Sequence, residues 1–221
     1  MKYFEMDGFP LYAALAVIAG YLLGSISFSV IASKLIAKDD VRNHGSGNAG
    51  FTNIMRNYGK LPSAVTLIGD FSKGVAAVLI GGLLLSKVSP DLKLLGEVIG
   101  GISVFIGHVF PLFFGFRGGK GVLASAGAVL ILDYRIFLIS VAAFALIAFT
   151  SRIVSLGSIG TAILLPILVY AFYRGDNTLT TLLVYSVIVC LMVLLTHRQN
   201  IKRLLNGTEY KFKRKGKRAD D

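Results

Sequence analysis

The segment 44–56, "HGSGNAGFTNIMR", combines residue types that are suited to binding an anion. Its glycines leave backbone amides open to close approach by a ligand, and its short amide and hydroxyl side chains add further donors. The guanidinium at the end of the segment suits a phosphate group. We predict a phosphate-binding segment, with a flexible glycine-rich loop as the alternative. The candidate residues are Gly45, Ser46, Gly47, Asn48, Gly50, Thr52, Asn53 and Arg56.

A second polar segment, 107–122, reads "GHVFPLFFGFRGGKGV" and ends where a new apolar run begins. Unpaired amides and the helix dipole favour an anion at the start of a helix. The segment is not a nucleotide-binding P-loop, because no Ser or Thr follows its lysine. His108 lies about 9 Å of helix inside the membrane edge, and alone it is more typical of a packing residue than of a catalyst. The candidate residues are Arg117, Gly118, Gly119, Lys120 and Gly121, with His108.

The third polar segment, 196–211, reads "THRQNIKRLLNGTEYK". Helical spacing brings His197 near Asn200 and Ile201 and puts Lys202 or Arg203 a further turn along, so an imidazole, an amide and a cation can line one inward surface. A basic helix lying on the membrane surface is the alternative. A shorter stretch, "TSRIVSLGS" at 150–158, offers Ser155 and Ser158, for which helix capping is an equally good explanation.

Two opposite charges, Asp70 and Lys73, interrupt the second apolar run. Each alone costs roughly 2.5–3.5 kcal/mol at the centre of a bilayer. Residues three apart on a helix are neighbours, so the two side chains can offset each other. We therefore predict a structural ion pair.

The composition places these segments in a membrane. The chain has 221 residues, of which 54% are hydrophobic and 16% charged, and its mean hydropathy is +0.70, which is too apolar for a soluble domain. The net charge of +11 is local, because nine of the 23 Lys and Arg residues follow residue 197. A basic end beside a span is typical of contact with anionic lipid, so nucleic acid is not an expected partner.

Apolar runs predict seven transmembrane helices, or five if the short fourth and fifth segments do not span. With the N-terminus outside and the C-terminus cytoplasmic, 17 basic residues lie inside and five outside. We predict an all-α polytopic bundle with a transmembrane domain at 1–205 and a basic cytoplasmic tail at 206–221. The runs are Pro10–Ser33, Pro62–Ser86, Leu94–Phe114, Gly121–Asp133, Ile136–Thr150, Ile153–Tyr173 and Leu179–Thr196.

Taken in series, three motifs resemble those of the bacterial acyl-phosphate:glycerol-3-phosphate acyltransferases, the PlsY family. "SGNAGFTNIMR", "GHVFPLFFGFRGGKGVL" and "HRQNIKRLLNGTE" follow the order of family segments like "SGNxGATNxxR", "GHxFPxFxxFKGGKGVA" and "HRxNIxRLxxGxE". The resemblance covers nearly the whole chain. It implies a multi-pass enzyme of the bacterial inner (plasma) membrane with a cytoplasmic active site. Such an enzyme moves a fatty acyl group from acyl phosphate to the 1-hydroxyl of glycerol 3-phosphate, giving lysophosphatidic acid and phosphate in the first step of phospholipid biosynthesis.

The resemblance also implies roles for individual residues. Ser46 and Arg56 correspond to an essential pair, and Lys120 with its neighbouring glycines corresponds to a phosphate-binding loop. From the last segment, His197, Asn200 and Glu209 carry over. Three positions depart from the family pattern: Phe51 stands for a usual alanine, Arg117 stands for a frequent lysine, and "GSISFS" at Gly24 replaces the commoner "GSIPFG".

The residues also suggest a mechanism. Acyl phosphate has a good leaving group, so no covalent acyl-enzyme is required. We expect Arg56 and Lys120 to neutralise two phosphates, and Ser46 and Asn200 to orient the carbonyl or the hydroxyl. His197 would accept a proton or act as a positioning donor; alternatively the base is a substrate phosphate oxygen, whose second pKa lies near 6.

Glycerol 3-phosphate, fatty acyl phosphate and membrane lipids are the expected partners, and no cofactor or metal is expected because no ligand cluster has suitable spacing. A polytopic transporter of phosphorylated metabolites is the alternative function. A transporter is expected to place charged and broken-helix elements near the midplane in two related halves. A third possibility, a purely structural bundle that binds anionic lipid, would leave the glycine segments unexplained.

Overall fold

The computed structural model describes residues 6–212, and no β-strand occurs in this range. The prediction of an all-helical fold is confirmed. Short 3-10 turns lie at 41–43, 90–92 and 112–114. The α-helices are α1 (Phe9–Ser25), α2 (Phe28–Ile36), α3 (Phe51–Tyr58), α4 (Lys60–Ser86), α5 (Lys93–Val109), α6 (Val122–Leu132), α7 (Tyr134–Ser151), α8 (Val154–Tyr173), α9 (Leu179–Thr196) and α10 (Arg198–Leu205).

Small residues let the central helices pack backbone to backbone. Helix α4 contacts α1, α5 and α6, and α8 packs between α7 and α9. A Cβ atom placed on Gly81 of α4 would overlap the backbone of Gly96 in α5, and the converse also holds. Within a bilayer such close approach is a main source of helix association. These glycines therefore hold together the half of the bundle that supports the polar segments.

The helix lengths bear on the predicted number of spans. Among residues 6–212, six segments are long and apolar enough to cross a membrane, and the fifth predicted run is one of them, because α7 extends over Tyr134–Ser151. Helix α6 has only 11 residues, or about 16 Å of helix, which is shorter than an ordinary span. The count of seven and the sidedness stay predictions.

The first predicted span is not one continuous helix. It breaks at residues 26–27, between α1 and α2. The ammonium of Lys73 donates to the carbonyl oxygens of Gly24 at 2.9 Å and Ile26 at 2.7 Å, and its nitrogen lies 2.9 Å from Asp70 Oδ1. The predicted pairing of Asp70 with Lys73 is confirmed. The pair has a second role, because Lys73 satisfies carbonyls that the break would otherwise leave unpaired in an apolar layer.

All three polar segments lie at one end of the bundle. The loop before α3, the loop between α5 and α6, and helix α10 meet there. The packed structure also continues past the predicted domain boundary at residue 205: Phe212 donates its backbone N–H to the carbonyl of Arg152 at 3.0 Å. The predicted tail therefore begins within the packed structure, and its remaining residues, 213–221, lie outside the described range.

Candidate active site

A polar cavity of about 400 Å³ opens at this end of the bundle. The three polar segments, which are far apart in the sequence, all contribute to its lining, as do the serines at the start of α8. The predicted site residues found in the lining are Gly45, Ser46, Asn48, Gly50, Thr52, Asn53, Arg56, His108, Lys120, Gly121, Ser155, Ser158, His197, Asn200, Arg203 and Glu209.

Asn53 organises the glycine-rich loop. Its side chain is almost wholly buried and donates to the carbonyls of Val41, His44 and Asn48 at 3.0–3.1 Å. Its Oδ1 accepts the backbone N–H of Ser46 at 3.2 Å. One amide thus fixes both flanks of Ser46, and this role depends on helix α3 placing Asn53 beneath the loop.

Two glycines adopt conformations that other residues rarely take. Gly45 has φ +60°, and a Cβ there would overlap Asn53 Oδ1. Gly121 has φ +81° where it precedes α6, and a Cβ there would overlap the ring of Phe105. Both positions therefore favour glycine for backbone reasons as well as for access to a ligand.

Four predicted residues lie outside the cavity lining: Gly47, Arg117, Gly118 and Gly119. The glycine pair instead joins two segments, because Gly119 donates to the carbonyl of His108 at 3.1 Å and Gly118 accepts the N–H of Ala49 at 3.3 Å. Arg117 is exposed. The N–H of Gly119 and the carbonyl of Gly118 are thus used in backbone hydrogen bonds, and the expectation that this pair cradles phosphate stays a prediction.

Lys120 is a largely buried cation of the cavity whose pKa is shifted by its surroundings. Its ammonium donates to Asn200 Oδ1, and the nearest charges are Glu209, Arg203 and Arg56. The pKa of Lys120 is lowered to about 8, mainly by burial and in part by the charges of the two arginines, while Glu209 opposes the change. A bound phosphate dianion would stabilise the charged ammonium and offset the cost of its burial.

His197 ends helix α9 with one ring nitrogen already occupied. Its Nδ1 lies 2.9 Å from the carbonyl oxygen of Val193. A carbonyl only accepts, so Nδ1 carries the proton and Nε2 is an acceptor in the neutral ring. Burial and the charge of Lys120 lower the pKa of His197 to about 4. The imidazole is therefore neutral at pH 7 and able to accept a proton.

Glu209 ties the end of the described chain to the cavity wall. Its carboxylate accepts from Ser155 Oγ at 2.8 Å, Asn200 Nδ2 at 2.6 Å and Arg203 Nε at 2.7 Å. Burial raises the pKa of Glu209, but these hydrogen bonds and the charge of Arg203 outweigh burial and hold it below its ordinary value. Asn200 thus links Lys120 to Glu209, and Glu209 anchors the residues around it.

Arg56 faces the cavity from helix α3. Its guanidinium carbon lies 3.6 Å from the centre of the Tyr210 ring, a cation–π contact. The stack covers one face of the guanidinium and leaves the in-plane N–H groups for a ligand. Tyr210 follows Glu209 directly, so the same short segment shapes both cationic sides of the cavity.

Sequence reasoning did not assign several lining residues to the site, among them Asp70 and Tyr210. Asp70 gave a signal, since a carboxylate within an apolar run is a functional candidate by default. Tyr210 gave none, because its contact with Arg56 joins residues far apart in the sequence.

Comparison with known proteins identifies the family. The family model for glycerol-3-phosphate acyltransferase matches residues 14–207. The chain belongs to the glycerol-3-phosphate acyltransferase family. The resemblance seen in the motifs is therefore confirmed, and the transporter alternative is set aside.

Relatives and solved structures agree with this membership. The glycerol-3-phosphate acyltransferase of Clostridioides difficile is 43% identical over 204 residues, 92% of this chain and 97% of the relative. That of Syntrophotalea carbinolica is 42% identical over 202 residues, 89% of this chain and 96% of the relative. A crystal structure of PlsY, an integral membrane glycerol 3-phosphate acyltransferase in its glycerol 3-phosphate form, superposes with a TM-score of 0.81 at 34% identity, covering 91% of this chain and 96% of that one. The lysophosphatidic acid form gives 0.78 at 33% identity, covering 91% and 95%.

The acyltransferase has a second, apolar cavity of about 190 Å³ between α6, α7, α8 and α9. Val122, Leu123, Phe144 and Ser158 line both cavities, so the two adjoin. Among residues 6–212, no three His, Cys, Asp or Glu side chains are grouped so that they could hold a metal ion.

Proposed function

We propose that this acyltransferase transfers a fatty acyl group from acyl phosphate to the 1-hydroxyl of glycerol 3-phosphate, giving lysophosphatidic acid and phosphate. The observation that carries the proposal is the meeting of the two cavities. One is polar and has cations on its walls, the other is apolar and lies between helices. A donor with a phosphate head and a fatty chain has the same two parts.

The reaction needs no covalent intermediate. The hydroxyl oxygen attacks the acyl carbonyl carbon, the bond from that carbon to the phosphate oxygen breaks, and phosphate leaves with the electron pair. Arg56 and Lys120 bind the two phosphates and offset their mutual repulsion. Ser46 and Asn200 orient the reacting groups.

The hydroxyl proton passes either to His197 Nε2 or to a phosphate oxygen. His197 has the geometry of a base, with its other nitrogen fixed by the Val193 carbonyl. Replacement by Gln tests the role: a shifted pH profile with a large loss of activity supports His197 as the base, and an unshifted profile with a modest loss assigns the proton to the substrate phosphate.

The membrane setting completes the proposal. Seven spans, with α6 as the shortest, put the N-terminus outside the inner membrane of a bacterium and the polar cavity on the cytoplasmic side. The excess of basic residues at the cavity end supports this orientation. The transmembrane catalytic domain then extends past residue 205 to include Glu209 and Tyr210.

The direct test supplies the purified full-length protein with palmitoyl phosphate and glycerol 3-phosphate, with palmitoyl-CoA as the control donor. We expect lysophosphatidic acid from acyl phosphate alone. Product from palmitoyl-CoA alone would overturn the choice of donor, and no product from either would overturn the proposed function.

A further inference from the structure

Two buried groups, Asp70 and His108, line the polar cavity with incomplete hydrogen bonding. Their relative exposures are 1% and 5%. Asp70 Oδ1 lies 3.6 Å from His108 Nδ1, which is too far for a hydrogen bond. Within hydrogen-bond distance Asp70 Oδ1 has the Lys73 ammonium at 2.9 Å, and among the described residues no hydrogen-bond partner is found for His108 Nδ1. Buried polar atoms are ordinarily satisfied, so an unpaired imidazole nitrogen next to a carboxylate with spare acceptor capacity, both in residues that line a cavity, indicates a place for a ligand group.

Lys73 fixes Asp70 without competing for a ligand. Its ammonium has three N–H groups, and its contacts are the carbonyls of Gly24 and Ile26 and the carboxylate of Asp70. Lys73 offsets the charge of Asp70 and has no donor left for a substrate. The carboxylate of Asp70 is therefore fixed in place by Lys73 and can still accept further hydrogen bonds.

The chemistry of the cavity differs between its cationic wall and this pair. Arg56 and Lys120 suit phosphate, whereas a carboxylate beside an imidazole suits a hydroxyl, which donates to one and accepts from the other. Glycerol 3-phosphate carries a phosphate at one end and two hydroxyls. Its shape therefore matches a cavity that has both kinds of group.

The position of the apolar cavity tells which hydroxyl the pair meets. The apolar cavity adjoins the polar one at Val122, Leu123 and Phe144, and neither Asp70 nor His108 lines it. On the proposed function the acyl carbonyl therefore arrives from the side of α6, α7 and α8. Asp70 on α4 and His108 on α5 line the polar cavity alone, which places them for the hydroxyl that is not acylated.

We infer that Asp70 and His108 together bind the 2-hydroxyl of glycerol 3-phosphate and so turn its 1-hydroxyl toward the acyl carbonyl. This inference rests on the proposed function and adds a specificity to it. An acceptor that has the phosphate and the 1-hydroxyl but lacks the 2-hydroxyl is used poorly, because the pair is left unsatisfied.

The test compares glycerol 3-phosphate with 1,3-propanediol monophosphate, which lacks only the middle hydroxyl, with palmitoyl phosphate as donor. We expect the wild-type protein to prefer glycerol 3-phosphate by roughly 10- to 100-fold in kcat/KM, the range for a hydrogen bond to a charged group. In Asp70→Asn the preference falls to within about threefold, mainly through loss of activity on glycerol 3-phosphate.

Asp133→Asn is the matched control. Asp133 is also a buried aspartate, but its carboxylate accepts hydrogen bonds from Arg135 and Tyr173 and lies outside the polar cavity. Its replacement lowers stability and leaves the preference between the two acceptors unchanged. His108→Gln keeps the Asp70–Lys73 pair and narrows the preference by several-fold, so it gives an answer even where Asp70→Asn does not fold.

The outcomes separate this inference from the proposed function. A wild-type protein that makes lysophosphatidic acid and uses both acceptors equally well overturns the inference alone. The same holds for an unchanged preference in active Asp70→Asn or in His108→Gln. Absence of any product with glycerol 3-phosphate would instead refute the proposed function.

Discussion

Within the part of the acyltransferase that the structure describes, two lysines extend into the interior, and they differ in what their ammonium groups contact. Lys73 is bound by two backbone carbonyls and by Asp70, within the region where α1 breaks into α2. Lys120 donates to Asn200 and lines the polar cavity. The first has no donor left, whereas the second has N–H groups directed to a ligand or to solvent.

The difference shows that a charge in an apolar chain does not by itself mark a substrate site. The charge of Lys73 is matched by Asp70, so the region is locally neutral and holds the backbone. The charges that act on Lys120 are one carboxylate, Glu209, and two guanidinium groups, Arg203 and Arg56. The region is therefore positive and suits a phosphate dianion. Donor saturation and local charge balance, rather than burial, separate the two.

Removing Lys120 is expected to have the largest effect on activity. Lys120→Met deletes a cation that faces the developing charge on the leaving phosphate, and such a loss costs about 10³-fold in kcat. The measurement is turnover of palmitoyl phosphate and glycerol 3-phosphate, with the unfolding temperature in detergent unchanged. Lys202→Met, an exposed lysine on α10, is the control and keeps wild-type turnover. Wild-type turnover in Lys120→Met would mean that the cavity does not need this cation.

Removing Lys73 is expected to act on folding instead. Lys73→Met leaves Asp70 unpaired and two carbonyls unsatisfied, and breaking a buried pair in this way costs about 3–5 kcal/mol. Thermal unfolding in detergent measures the loss. Lys93→Met is the control, because that lysine is largely exposed and lies 3.8 Å from its partner Glu97, and such pairs contribute at most about 1 kcal/mol. Equal unfolding temperatures for the two variants would contradict the structural role of Lys73.

The same contrast explains what the sequence could predict. Apolar runs located the helices, because hydrophobicity over some 20 residues is a local property. The three polar segments were found from glycines and cations that are neighbours in sequence. The pair of Asp70 and Lys73 was predicted from their spacing on one helix. In each case the information lies within a single stretch of chain.

What the sequence could not predict depends on contacts between distant segments. The break between α1 and α2 contains no proline, and it depends on Lys73 reaching across from α4. The backbone hydrogen bonds of Gly118 with Ala49 and of Gly119 with His108 could not be inferred from the glycine pair itself. The stack of Tyr210 on Arg56 joins residues from opposite ends of the chain.

The acidity of Lys120 sharpens the comparison further. Burial and the neighbouring arginines lower its pKa to about 8, so it loses its proton as the pH rises through that value. If the charged form binds phosphate, kcat/KM is level below pH 8 and falls tenfold per pH unit above it. Lys120→Arg stays charged and moves this decline to higher pH. A decline that stays in place in Lys120→Arg would assign it to another group.

The guanidinium of Arg56 is contacted less completely than the ammonium of Lys73, because Tyr210 covers one face and leaves the N–H edge to a ligand. Loosening this contact gives the smallest expected effect. Tyr210→Leu removes the ring and leaves the guanidinium less well held. A cation–π contact at an exposed site contributes about 0.5–1 kcal/mol, which corresponds to a two- to fivefold rise in KM with kcat nearly unchanged.

Tyr210→Phe keeps the ring and should keep the wild-type KM, which separates stacking from any role of the hydroxyl. Equal KM values in the wild type, Tyr210→Phe and Tyr210→Leu would show that Arg56 needs no support from the ring. A fall in kcat with KM unchanged would mean instead that Tyr210 acts in the chemical step. Only a rise in KM confined to Tyr210→Leu fits an Arg56 that the protein positions while leaving its N–H groups available to a ligand. Lys73 differs, because all of its N–H groups are used within the protein.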